Sequence, residues 1–296
     1  MCWENFLRRP MRQFWRNIWE ILDMVKIGHS VLALPFAFMG AMLAARGWPD
    51  GRTTLFILLA MVTARSAALA FNRLADAAID AANPRTATRS LPQGRLKRNS
   101  VRLFVAVNCL LFVWAAGQLN RVCLFLSPLA LAVILGYSLT KRFTSATHFI
   151  LGLGLGLAPV GGWLAVRGDL SLQVLVLGGS VLFWVAGFDI LYALQDEDFD
   201  RRTGLWSLPA RLGSPWARGL AAGCHLLAAA GFFLTGWMAG LHGVYPVAAL
   251  LGAGLLAGQH IILTLRGATR LPPAFFTLNG LVGLGLGLAT WLSLGR

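Results

Sequence analysis

"TLFILLAMVTARSAALAFNRLADAAID" (residues 54–80) is apolar for about the length that crosses a bilayer, then sets two aspartates one helical turn apart. Acidic residues are scarce in this chain, 12 Asp and Glu in 296 residues against 26 Lys and Arg. Asp76 and Asp80, at i and i+4 of a helix, repel each other unless something positive lies between them. A second cluster, "LQDEDFD" at 194–200, follows another apolar run and repeats the spacing with Asp196 and Asp200.

The rest of the chain resembles the first run. It is 57% hydrophobic and 13% charged, with a mean hydropathy of +0.65, whereas a soluble domain has about 45–50% apolar and about 25% charged residues. Nine apolar spans are predicted, near 30–46, 53–72, 101–117, 122–139, 147–166, 171–193, 217–238, 243–264 and 274–294. The expected fold is an all-α, polytopic membrane bundle with no separate soluble domain. Residues 1–25, where Trp, Phe and Ile alternate with Arg, suit an amphipathic segment lying on the membrane surface. They lack the apolar core and small-residue cleavage site of a signal peptide. Residues 26–296 are expected to form the transmembrane domain.

A net charge of +14 invites a nucleic-acid reading, but the distribution of the charge argues against one. Across the nine spans, 20 Lys and Arg fall on one side and 5 on the other, with Arg65 inside a span. This is the positive-inside pattern, and it places the N-terminus and both aspartate clusters in the cytoplasm. The bilayer, and no nucleic acid, is the expected large-scale partner. Cys2, Cys109, Cys123 and Cys224 are scattered without a CxxC pair, so neither a disulfide framework nor a zinc site is expected. The five histidines share no ligand spacing and read as core or interface residues.

The loops at 73–100 and 194–216 each begin with an aspartate cluster and continue into basic residues, and "RSLP" at 89–92 is echoed by "WSLP" at 206–209. These echoes are weak signs of a duplicated set of four helices, an arrangement that commonly places a site between its halves. "GLGLG" at 152–156 has no preceding strand and is not a dinucleotide fingerprint. Small residues at that spacing instead let helices approach closely.

Helical geometry relates the charges. Arg65, Asn72, Asp76 and Asp80 are separated by 7, 4 and 4 residues, and Asp189, Asp196 and Asp200 by 7 and 4. Each set shares one face if its helix continues past the membrane edge. The bland alternative is solvated loop carboxylates paired with nearby arginines, but two clusters matched in spacing and position favour a site. Hard oxygen donors without His or Cys suit Mg²⁺, which takes one or two carboxylates and completes its shell with water and substrate phosphate. Arg85, Arg89, Lys141, Arg142, Arg201 and Arg202 lie on the same side and suit phosphate oxygens. Arg65 and Asp189 lie about two turns deeper, where ionisable residues default to functional roles. Arg65 suits an acceptor carboxylate or a diphosphate oxygen. Asp189 suits taking up a proton or orienting a phenol, and Tyr192 lies near it as a second candidate.

"RSAALAFNRLADAAIDAANPRTATRSLPQG" (65–94) resembles the first signature of the UbiA superfamily of intramembrane prenyltransferases, commonly written NDxxDxxxD. "FDILYALQDEDFDRRTGLWSLPARLG" (188–213) resembles the second, DxxxD. The likeness runs from about residue 26 to the end and is nearest to 4-hydroxybenzoate polyprenyltransferases and their quinone-pathway relatives. It implies a nine-helix bundle with a central cavity open to the cytoplasmic side. The implied reaction is Mg²⁺-dependent transfer of a prenyl group from polyprenyl diphosphate to a small aromatic acid. Other acceptors within the superfamily (haem, chlorophyllide, a glycerol phosphate) and, more remotely, a transporter are the alternatives. Carried over by motif, Asn72, Asp76, Asp80, Asp196 and Asp200 would bind metal, with Arg73, Arg85, Lys141 and Arg142 on the diphosphate. One departure stands out: the family's usual Asp after the Asn is Arg73 here, so the motif reads NRxxDxxxD.

Overall fold

In a bilayer interior each backbone N–H and C=O must be satisfied within its own segment, which leaves an apolar run of this length the helix as its spanning form. The computed structural model describes residues 19–21, 24, 33–267 and 274–295, and these contain helices and no strand. The helices are α1 (Leu34–Ala45), α2 (Gly51–Ala75), α3 (Ala77–Ala82), α4 (Arg98–Leu119), α5 (Arg121–Thr140) and α6 (Thr147–Arg167). They continue with α7 (Leu172–Ala193), α8 (Glu197–Thr203), α9 (Leu208–Leu212), α10 (Ser214–Ala239), α11 (Val244–Arg266) and α12 (Ala274–Leu294). Among the described residues 8 helical segments are long and apolar enough to cross a membrane, and α1, with 12 residues, is a shorter apolar helix. The start of the expected first span, at residue 30, and nearly all of the expected surface segment 1–25 lie outside the described residues.

Helix α7 is the centre of the bundle. It packs most extensively on α6 and α10 and buries Trp184, Ile190 and Leu191 completely. Glycine makes the α6–α7 contact possible: a Cβ on Gly152 would lie 2.3 Å from the Leu182 carbonyl oxygen, and one on Gly156 would lie 2.6 Å from that of Gly178. The "GLGLG" stretch is thus a helix-packing surface, as its spacing predicts. Helix α2 packs on α4 and α5, α1 packs on α6, and α12 packs on both α11 and α1.

Buried polar side chains tie helices together where hydrocarbon packing gives little preference between partners. Trp184 Nε1 donates to Asn279 Oδ1 at 2.9 Å, and Gln259 Nε2 donates to the same oxygen at 3.1 Å. Asn279 Nδ2 in turn donates to the Phe275 carbonyl at 2.9 Å. One amide therefore joins α7, α11 and α12.

Both motif helices break at their first aspartate. Helix α2 ends at Ala75, Asp76 stands at φ −89° and ψ 3°, and α3 restarts at Ala77. In the second motif the chain tightens to a 3₁₀ turn over Leu194–Asp196, Asp196 takes φ −108° and ψ 6°, and α8 begins at Glu197. The unbroken helical faces expected from spacing alone are therefore interrupted at equivalent positions.

Candidate active site at the two helix breaks

Asp76 is 4% exposed and is the best-connected carboxylate of the first motif. Lys141 Nζ, just beyond α5, donates to its Oδ2 at 2.6 Å, and Asn72 Nδ2 donates to the same oxygen at 3.2 Å. Arg142 Nη2 donates to the Ala75 carbonyl at 2.7 Å and stands 3.5 Å from Asp76 Oδ1. The α5–α6 turn therefore closes over the end of α2. The other side of that turn is also held, because the Trp206 N–H donates to the Lys141 carbonyl at 2.7 Å.

Asp80, also buried, faces a different partner: Arg89 Nη1 lies 2.7 Å from both of its carboxylate oxygens. Asp196 is reached from the first half of the chain. Asn83 Nδ2 donates to its Oδ1 at 3.1 Å, and Arg85 grips both oxygens, with Nε 3.0 Å from Oδ1 and Nη2 on Oδ2. Arg85 Nη1 also donates to the Tyr192 hydroxyl at 3.1 Å, with its guanidinium 5.5 Å from the centre of that ring. Burial works against the Arg85 charge, but the bond and the charge of Asp196 outweigh it and hold the Arg85 pKa above its ordinary value. Asp200 has Asp196, Lys141 and His148 as its charged or ionisable neighbours.

Asn72, Asp76, Lys141 and Arg142 thus meet in one cluster, and Tyr192, Arg85 and Asp196 in another. Lys141 links them through its proximity to Asp200. Arg201 and Arg202 are exposed; Arg201 pairs with Glu197 at 2.7 Å, and Arg202 bonds the Asp198 carbonyl at 3.1 Å. They are not part of either cluster. Among the described residues no three His, Cys, Asp or Glu side chains are grouped as a ready-made metal site. Asp76, Asp80 and Asp196 are instead each neutralised by Lys or Arg.

Below the charges lies an apolar cavity of about 570 Å³ between α2, α5 and α6. Arg65, Tyr137, Phe188 and Phe276 line it, and it extends along α5 as far as Cys123, which by helical rise is about 20 Å away. Tyr137 stands one turn before Lys141, with Arg73, Asp76 and Asp189 among its charged neighbours. The polar cluster therefore borders one end of the cavity. Arg65 Nε is buried without a hydrogen-bond partner.

Two contacts have no counterpart in the spacing argument. His148 Nδ1 lies 2.7 Å from Asp189 Oδ2, which gives a role to a histidine read as a core residue. Asn83 joins the second motif across 113 residues. Tyr137 did leave a signal, because it stands four residues before Lys141 on the same helical face.

The UbiA prenyltransferase family profile matches residues 33–281. The chain belongs to this family. Among curated UbiA-family relatives it is 29% identical to the 4-hydroxybenzoate octaprenyltransferase of Yersinia enterocolitica over 282 residues, 94% of this chain and 96% of the relative. It is also 29% identical to the enzyme of that name from Vibrio cholerae, over 93% of this chain and 98% of the relative. Among solved structures, the apo UbiA homologue from Aeropyrum pernix K1 superposes with a TM-score of 0.81 at 35% identity, over 89% of this chain and 97% of that one. A UbiA homologue from Archaeoglobus fulgidus bound to GPP and Mg²⁺ superposes at 0.70 with 16% identity, covering 94% of this chain and 100% of that one, a likeness of fold.

Arg73 follows Asn72, at the position where the resemblance leads one to expect an aspartate. Its guanidinium makes no hydrogen bond or ion pair among the described residues, and Arg89, Asp80, Tyr137 and Asp76 are the ionisable groups around it. It also lines a second, polar cavity of about 250 Å³ together with Asp80 and Arg89.

Proposed function

We propose that this prenyltransferase joins a polyprenyl group from polyprenyl diphosphate to the ring of an aromatic hydroxy acid, 4-hydroxybenzoate or a close analogue, in quinone biosynthesis. The observation that carries the reading is the juxtaposition of two aspartate motifs and their cationic partners with an apolar cavity holding one buried arginine. The substrate has the same division: a diphosphate head, a long hydrocarbon tail and a small anionic acceptor. The names of the curated relatives support the choice of acceptor.

The oxygen-only donor set fits Mg²⁺, and the fit rests on this chain's chemistry. Asn72, Asp76, Asp80, Asp196 and Asp200 offer amide and carboxylate oxygens, with no thiolate or imidazole among them. In this reading those five residues hold the metal. When bound, Mg²⁺ supplies electrostatic stabilisation of the departing diphosphate. Lys141, Arg142, Arg85 and Arg73 exchange their carboxylate or unfilled contacts for diphosphate oxygens. Preorganised charges in a water-poor site favour the developing negative charge more than the same charges in water.

Cleavage of the C–O bond leaves an allylic cation, which the apolar cavity shields from water. The ring carbon beside the phenolic hydroxyl attacks that cation, and Asp189 or the released diphosphate takes up the ring proton. Arg65 holds the acceptor carboxylate, since a buried guanidinium with an unused Nε calls for an anion. Tyr192 steadies Arg85 through its hydroxyl. The positive-inside count supports a cytoplasmic side for both motifs and the N-terminus, and the bacterial relatives support a bacterial-type inner membrane. Membranes holding the protein, given labelled polyprenyl diphosphate and a panel of acceptors, test the reading. Labelled product with hydroxyaryl acids supports it, and product with glycerol phosphate or a tetrapyrrole alone rejects the proposed acceptor.

A further inference from the structure

The geometry points to His148 as a positioning residue for Asp189, holding its carboxylate in one orientation toward the acceptor. The inference rests on the reading of Asp189 as the group that meets the acceptor phenol. Two contacts carry it, one on each ring nitrogen. The Leu208 N–H, which can only donate, points at His148 Nε2 at 3.3 Å. That nitrogen is therefore the acceptor, so the ring proton sits on Nδ1 and is donated to Asp189 Oδ2 at 2.7 Å.

The imidazole thereby presents Nδ1 to Asp189 as a donor, with Nε2 occupied by the Leu208 N–H. In this geometry it serves Asp189 as an orienter. His148 is 2% exposed, buried at the start of α6, so its ring has little freedom to swing away. Its partner N–H belongs to the first residue of α9, one of the helix-end donors that need an acceptor outside their own helix. One side chain therefore links α6, α7 and the segment after the second motif.

The Asp189 side chain keeps 26% of its surface exposed, and Tyr137, which lines the cavity, has it as a charged neighbour. With Oδ2 engaged by His148, Oδ1 is the oxygen left for an acceptor hydroxyl. The same logic operates where a second partner fixes the tautomer and direction of a functional group. Loss of the donor frees the carboxylate to rotate, and a misplacement of this kind lowers the rate without affecting the tail or the diphosphate.

Three variants test this in steady-state assays with each substrate varied. His148→Asn retains a donor near the Nδ1 position. His148→Leu fills the site but offers none. Asp189→Asn removes the carboxylate. The expected result for His148→Leu is a loss of roughly tenfold or more in kcat/KM for the acceptor, the scale of one charged hydrogen bond, with an unchanged KM for the prenyl diphosphate. Asn should recover most of that loss. In the Asp189→Asn background, His148→Leu should add little further.

Recovery by Leu and not by Asn would make His148 a packing residue and overturn the inference. So would an equal rise in KM for both substrates, or a full additional loss on top of Asp189→Asn. If Asp189→Asn alone leaves acceptor kinetics intact, the inference fails through Asp189 even where the His148 variants do not fold. A wild-type protein that prenylates no hydroxyaryl acid would instead overturn the functional reading beneath it.

Discussion

Arg85 follows the first aspartate motif and grips Asp196 of the second through both carboxylate oxygens, across 111 residues of sequence. Lys141 makes the matching contact to Asp76 from the turn after α5. Each motif is therefore neutralised by a residue from outside its own helix, and the site is assembled by long-range ion pairs.

The Arg85 contact gives the first prediction. If Arg85 passes from Asp196 to the diphosphate, Arg85→Ala weakens binding of the prenyl substrate and leaves the acceptor alone. A charge-assisted hydrogen bond is worth about 1.5–3 kcal/mol, so KM for the diphosphate should rise roughly 10- to 100-fold. Steady-state titration of each substrate checks this, and a change confined to the acceptor would refute it.

Removal of metal is the second test. Membranes treated with EDTA should lose turnover, recover it with Mg²⁺ or Mn²⁺, and fail to recover with Zn²⁺, since the donors are hard oxygens. Full turnover after chelation would rule out a metal-dependent site.

The third prediction separates the deep arginine from the rim. Lys cannot reproduce the forked contact of a guanidinium with a carboxylate. Arg65→Lys should therefore raise KM for an acidic acceptor by about tenfold or more while KM for the prenyl diphosphate holds. A fall in diphosphate affinity with acceptor affinity intact would move Arg65 to the leaving-group side.

Topology supplies the fourth. Single cysteines at the exposed positions Gln93 and Thr203, in a protein lacking Cys2, Cys109, Cys123 and Cys224, should both resist an impermeant thiol reagent in intact cells. Labelling of either from outside would contradict the shared cytoplasmic placement of the motifs.

Much of the architecture was legible in the sequence because hydrocarbon imposes a length on each span. The expected segment 171–193 meets α7 at Leu172–Ala193, and 274–294 coincides with α12. The clustering of Asn72 with Asp76 was also legible, since spacing within one helix determines it. The breaks at Asp76 and Asp196 were not legible, because the helical periodicity of both segments runs through them unchanged. The groups that meet the two breaks, Lys141, Arg142, Arg85 and Asn83, come from other parts of the chain, and local periodicity carries no record of them. His148 was missed for the same reason. Its partner lies 41 residues away, and a lone histidine in an apolar run carries no local sign of what it meets.

The central claim is that the two aspartate motifs act together to release diphosphate and form a carbon–carbon bond. The most direct test supplies purified protein in lipid vesicles with labelled polyprenyl diphosphate, 4-hydroxybenzoate and Mg²⁺, and follows prenylated acid and inorganic diphosphate together. The account predicts equal amounts of the two products from the wild type, and neither product from Asp76→Ala or Asp196→Ala. Prenylated acid formed at the wild-type rate by either variant would contradict it.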